Sequence, residues 1–195
     1  GKTTFAAALA SALAVTGGAA PTPGGDGPAP LGGAVPPTRG GRSMPPSSAQ
    51  GLVRPRVAVL HLDDLYEGWS GLAGSLWPRL SAQVLEPLRR GEPGCYQRYD
   101  WVLGRFAEWV PVPVPQVLVL EGCGAARRDC DPVASLRVWV QAPDDLRLAR
   151  GLLRDGEGAR EHWIAWMRDE ADHFAAQDTL RRADVRLDAW GTMPT

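Results

Sequence analysis

Three short apolar runs, separated by stretches with helical period, limit this chain to few folds. They are Val57-Ala58-Val59-Leu60-His61-Leu62, Val117-Leu118-Val119-Leu120 and Leu136-Arg137-Val138-Trp139-Val140. Such near-continuous β-rich runs predict strands buried on both faces, the pattern of a parallel sheet. Helices are predicted between and around them. Residues 5–15 are mostly Ala and Leu, and Leu72, Leu76, Leu80, Val84 and Leu88 recur every four residues. Pro78 and Pro87 fall inside that second stretch and predict two helices or a kinked one. Pro143-Asp144-Asp145 opens a helix to about Arg154, with Leu146, Ala149 and Leu153 expected to face the sheet. Trp163, Trp166, Met167, Glu170 and Phe174 place another helix over 161–179, its aromatic residues packed in the core, and Val185-Arg186-Leu187 reads as a last short strand. The alternation predicts an α/β fold with a parallel sheet covered on both faces. In such sheets ligands sit beyond the carboxyl ends of the strands.

Residues 17–55 break every period with dense Gly, Pro, Ser and Thr. Such a stretch buries too little apolar area to offset its ordering entropy, and it is expected to be a disordered insertion. The 195 residues otherwise suit one domain. A net charge of −1 offers no field for nucleic acid or an acidic membrane surface. No apolar run approaches the roughly 20 residues needed to span a bilayer. Cys95, Cys123 and Cys130 form no CxxC or metal-like cluster and read as reduced thiols of a cytoplasmic protein. Of 21 basic residues only Lys2 is lysine, which singles out that position.

Lys2 belongs to Gly1-Lys2-Thr3-Thr4, which matches the last three positions of the phosphate-binding loop G-x-x-x-x-G-K-[ST] and precedes a helix. Glycine admits backbone N–H groups to phosphate oxygens, lysine supplies a point charge, and the threonine hydroxyl suits Mg²⁺. A helix N-terminus capped by threonine is the plainer reading. Asp63 and Asp64 follow the first strand, where a carboxylate is placed to take the proton of an attacking hydroxyl. Glu121-Gly122 closes the second strand, a position suited to a metal shell. Arg147, Arg150 and Arg154 share one helix face, either solvated or set to clamp phosphates. His61 is expected to pack within the fold, without a role.

Taken in order, these segments resemble the uridine kinase-like branch of the P-loop kinases. The residues that carry the resemblance are Gly1-Lys2-Thr3-Thr4, Asp63-Asp64-Leu65-Tyr66, Tyr99-Asp100-Trp101, Val119-Leu120-Glu121-Gly122 and Arg147 through Asp155. The resemblance implies a P-loop NTPase three-layer fold in a single domain over 1–195, lacking its first strand and truncated at its N-terminus. It also implies ATP and Mg²⁺. Gly1, Lys2, Thr3, Thr4, Arg150 and Arg154 would bind ATP, with Lys2 also catalytic, and Thr3 and Glu121 would hold the metal. Asp63 would be the catalytic base. Tyr66, Tyr99, Asp100 and Arg105 would join Asp63 in holding a small-molecule acceptor, most simply a nucleoside. Two alternatives remain open: a kinase for another small hydroxyl compound such as a vitamin precursor, and a non-catalytic ATP-binding regulatory module. A sheet without its first strand leaves unpaired backbone beside the phosphate site, so low stability and low turnover are expected.

Overall fold

A computed structural model describes residues 2–16 and 56–193. Gly1 and the insertion expected at 17–55 lie outside the described residues, as does the side chain of Lys2. The first helix, α1, runs Lys2–Thr16. Strand β1 (Val57–His61) follows, then the short helices α2 (Leu76–Leu80) and α3 (Glu86–Arg89). Strands β2 (Gly94–Asp100), β3 (Arg105–Val112), β4 (Val117–Glu121) and β5 (Val138–Val140) come next. Helices α4 (Asp144–Asp155), α5 (Arg160–Gln177) and α6 (Thr179–Arg182) lead to β6 (Val185–Leu187).

The three apolar runs are strands, and all three lie in parallel ladders. β1 pairs with β4 in parallel from Val57↔Val117 to His61↔Glu121, and β5 pairs with β6 in parallel from Val138↔Val185 to Val140↔Leu187. Helices and parallel strand pairs therefore make up most of the described chain. The sequence reading missed the antiparallel hairpin of β2 and β3, which joins Gly94↔Val112 to Asp100↔Arg105 with a register shift between Gln97 and Tyr99. Its strands lack the continuous apolar run of a parallel strand, and Pro111 and Pro113 disguise its second half as irregular chain.

The leucine repeat is helical from Leu76 on, with Leu72 in the turn ahead of it and the kink resolved into a wide turn. Ser81–Leu85, between α2 and α3, is π-helical. In a regular α-helix the Pro87 ring would collide with the carbonyl four residues earlier, that of Gln83. One wider turn relieves that collision and keeps the stripe in register. Leu76, Leu80 and Val84 are consequently fully buried. Together with Leu60, Leu62, Leu65, Tyr66 and Trp166 they belong to the main core cluster. Each such side chain contributes about 1.5–3 kcal/mol of burial. Trp163 and Phe174 pack against the same cluster, so the α5 stripe does face the core.

The face expected of α4 is corrected. Leu153 is 89% exposed, and the buried residue of the helix is Gly151. A Cβ on Gly151 would stand 2.5 Å from Cε2 of Trp163, so only glycine lets the two helices approach this closely. That contact fixes how α4 is rotated. It turns Arg147 inward to pair with the buried Glu170 and carries Leu153 out to solvent.

Candidate functional site

Parallel pairing of β1 with β4 sets His61 beside Glu121 at the carboxyl ends of both strands. Nδ1 of His61 lies 2.8 Å from Oε2 of Glu121. The same carboxylate oxygen accepts a hydrogen bond from the Thr3 hydroxyl at 3.3 Å, which brings the first turn of α1 to the end of β4. Residues 118 positions apart in sequence thus share one oxygen. Gly122 follows with φ of +134°, and a Cβ there would meet Leu62 Cβ at 3.0 Å and the Tyr66 hydroxyl at 3.3 Å. Glycine after the glutamate is therefore a steric requirement of the turn.

Beyond β1 the chain makes one 3-10 turn, Leu62–Asp64. Leu62, Leu65 and Tyr66 are buried and anchor it, which leaves Asp63 on the exposed side. The two aspartates then differ. Asp64 Oδ2 accepts the Tyr96 hydroxyl at 2.9 Å, whereas Asp63 is held through its backbone carbonyl, which accepts Trp101 Nε1–H at 3.2 Å. Burial, followed by the hydrogen bond to Asp64, pushes the Tyr96 phenol well above its ordinary range.

Arginines of α4 form the opposite wall. Arg154 donates to Asp155 through Nε at 2.7 Å and Nη2 at 3.0 Å, and its guanidinium lies 5.5 Å from the Trp163 ring centroid. The Asp155 hydrogen bond is the main reason Arg154 is held still more firmly protonated, with the Asp63 charge adding to it. Arg150 is exposed and makes no ion pair or hydrogen bond among the described residues. Arg147 is committed to Glu170 and, at 3.0 Å, to Asp144. One cleft of about 1590 Å³ has Thr3, Thr4, Asp63, Glu121, Arg150 and Arg154 in its wall.

The other predicted acceptor residues lie elsewhere or are otherwise engaged. Tyr66 lines the cleft but is 2% exposed, and its hydroxyl donates to the Cys123 carbonyl at 2.7 Å. Burial raises its phenol well above the ordinary value. Tyr99, Asp100 and Arg105 stand on the β2–β3 hairpin, outside the cleft wall. Asp100 Oδ1 accepts the N–H groups of Val102 and Leu103 at 2.9 and 2.8 Å, closing the hairpin turn. Tyr99 packs edge-on to Trp101 and Phe106. Sequence reasoning missed Trp69 and Trp101, which line the cleft, and His61. Strand pairing was the available signal for His61, since a parallel partner ending at Glu121 brings it alongside. Trp69 stacks on His162 at 5.4 Å and meets Trp101 and Trp163 edge-on, contacts that no spacing announces.

The donors at the strand ends suit one kind of cation. Among the described residues no group of three or more His, Cys, Asp and Glu could hold a metal ion. Zinc, which needs such a set, does not fit. A hydroxyl and a carboxylate oxygen do fit Mg²⁺, which takes one or two protein oxygens and completes its shell with water and phosphate.

No protein-family model matches the sequence, and no curated protein matches it. Among solved structures the chain is similar to a possible uridine kinase from Bacillus stearothermophilus. Identity is 18%, the TM-score is 0.48, and the match covers 68% of this chain and 72% of that one. At that distance the similarity transfers no activity to this chain. Among the described residues no helix is long and apolar enough to cross a membrane.

Proposed function

We propose that the chain transfers a phosphoryl group from ATP to the hydroxyl of a small molecule, with a nucleoside as the leading acceptor. The observation that carries this reading is the meeting of Thr3 and Glu121 at 3.3 Å beside the Asp63 turn, in a cleft whose other wall holds Arg150 and Arg154. Hydroxyl, paired carboxylates and guanidinium groups around one space are the inventory that phosphoryl transfer uses. Thr3 and Glu121 would hold Mg²⁺, which when bound neutralises charge on the phosphates. Asp63 orients the acceptor hydroxyl and takes its proton. Arg150 and Arg154 hold phosphate oxygens as bidentate donors, Arg150 more readily because it has no carboxylate to exchange. As the resemblance implies, Gly1, Lys2 and Thr4 would bind the phosphates. The Trp69 and Trp101 rings near Asp63 suit stacking of a heteroaromatic base.

The test is ADP release with ATP and Mg²⁺ against nucleosides, pantothenate and no acceptor. It is run on the chain alone and with an apolar strand and glycine-rich turn fused ahead of Gly1. Release that depends on a nucleoside and disappears in Asp63→Asn supports the reading. Release with pantothenate alone moves the acceptor to a vitamin precursor. ATP binding without release on any acceptor rejects catalysis in favour of a regulatory nucleotide-binding module.

A further inference from the structure

Asp155 is the last residue of α4. A carboxylate there works against the helix dipole, whose carboxyl end favours cations. Its pair with Arg154 is largely exposed on the arginine side and adds little stability. Neighbouring residues on a helix point apart, so a pair one residue apart has no fixed geometry of its own. This one is nevertheless bidentate, with Nε of Arg154 2.7 Å from Oδ1 and Nη2 3.0 Å from Oδ2 of Asp155. What fixes it is a third group from α5: Trp163 donates its Nε1–H to the same Oδ2 at 3.0 Å. Hooked in this way, Asp155 holds Arg154 beside the Trp163 ring, matches its charge and occupies one bidentate edge of the guanidinium. Among the described residues Arg150 has no such tie.

Trp163 also touches the acceptor side of the cleft. Its ring lies 5.5 Å from Trp69, edge to face, and Trp69 lies 5.6 Å from Trp101, whose Nε1–H bonds the Asp63 carbonyl. His162 stacks on Trp69 at 5.4 Å. Trp69 is thus flanked on several sides, and a ring seated against it displaces a neighbour. We propose that Asp155 and Trp163 form a latch that keeps Arg154 from phosphate until an acceptor ring seats against Trp69. This latch presupposes the phosphoryl-transfer reading and adds to it a choice between acceptors. The seated ring shifts Trp163, Nε1–H leaves Oδ2, and Arg154 exchanges the unhooked carboxylate for a phosphate oxygen. With either acceptor the bond from the γ-phosphorus to the β–γ bridging oxygen breaks and ADP leaves. The new bond goes to the acceptor oxygen, whose proton passes to Asp63, or to water, which gives inorganic phosphate. A latched Arg154 slows the second reaction, so Asp155 and Trp163 favour the acceptor over water.

The test titrates the 195-residue chain with Mg²⁺ and the non-hydrolysable ATP analogue AMP-PNP, by calorimetry, with and without uridine. Trp163→Phe removes the hook and keeps a ring against Gly151. Without uridine it should bind AMP-PNP about two- to fivefold more tightly than the parent, the scale of a largely exposed ion pair. Asp155→Asn should do the same, and neither should gain anything in an Arg154→Ala background. A merely structural role for Trp163 or Asp155 would loosen binding instead. That result, or a gain that survives Arg154→Ala, overturns the latch. Uridine should tighten AMP-PNP binding in the parent by a similar factor and leave Trp163→Phe unchanged. Equal uridine effects in the two overturn it as well. With ATP and no acceptor, Trp163→Phe and Asp155→Asn should both release ADP a few-fold faster than the parent, and unchanged release removes the choice against water. A parent that binds AMP-PNP but releases no ADP on any acceptor rejects phosphoryl transfer, and the binding arms still decide the latch.

Discussion

The carboxyl ends of β1 and β4 and the turn of the β2–β3 hairpin both carry residues of the resemblance, and they part company in three dimensions. At the strand ends, Thr3, His61 and Glu121 share one oxygen, and Asp63 stands beside them in the cleft. In the hairpin, Asp100 closes its own turn and Tyr99 packs on its neighbours. The difference follows from topology. Adjacent parallel strands bring groups distant in sequence to one rim, where no local partner satisfies them. A hairpin supplies local partners at once, and an aspartate there satisfies backbone N–H groups before it meets any ligand.

That contrast can be broken most directly by moving a carboxylate's chemistry at each place. Asp63→Asn should lower kcat on the order of 10²–10⁴-fold, the usual worth of a positioned base, with the melting temperature nearly unchanged. Kinetics and calorimetry on one preparation check both halves. Next in size is Gly151→Ala. The added methyl meets Trp163, so urea unfolding should show a loss of about 1–3 kcal/mol, and displacement of α4 should weaken ATP binding through Arg150 and Arg154. Asp100→Ala should behave as the mirror of Asp63→Asn. It loses two turn hydrogen bonds and about 0.5–1.5 kcal/mol of stability, with acceptor-dependent turnover within a few-fold of the parent.

The smallest effect concerns acid. The Arg154 hydrogen bond, opposed by partial burial, holds the Asp155 carboxyl below its ordinary value. A depressed folded value means that the unfolded chain binds the proton first. The stabilisation is complete above the unfolded carboxylate range near pH 3.9 and is lost as pH falls through the lower folded value. Arg154 is 65% exposed, so the pair is worth less than about 1 kcal/mol. Asp155→Asn should flatten that part of the acid unfolding curve and leave neutral stability changed by no more than this.

The parallel strands and their acidic ends were legible because burial on both faces demands continuous apolar runs, and a run closed by Asp63 or Glu121 marks its own carboxyl end. The leucine repeat was legible for the same reason, and its π turn was foreshadowed by Pro87. What failed depended on contacts between distant elements. Spacing alone could not show that Gly151 seats Trp163, so the rotation of α4 was misread and Leu153 was placed inside. Tyr66 carries a motif position and lines the cleft, and the tie of its hydroxyl to the Cys123 carbonyl was not legible from spacing. The hairpin escaped because its strands alternate weakly and Pro111 interrupts the second. His61 was set aside because its neighbour Glu121 lies 60 residues away.

The most direct test of the central claim compares Asp63→Asn and Asp100→Asn side by side for ADP release with a nucleoside acceptor, using the chain with a strand and glycine-rich turn ahead of Gly1. The account predicts that Asp63→Asn loses acceptor-dependent release while Asp100→Asn keeps it to within a few-fold. Retained release in Asp63→Asn, or its loss in Asp100→Asn without loss of folding, would contradict the assignment of the chemistry to the strand ends.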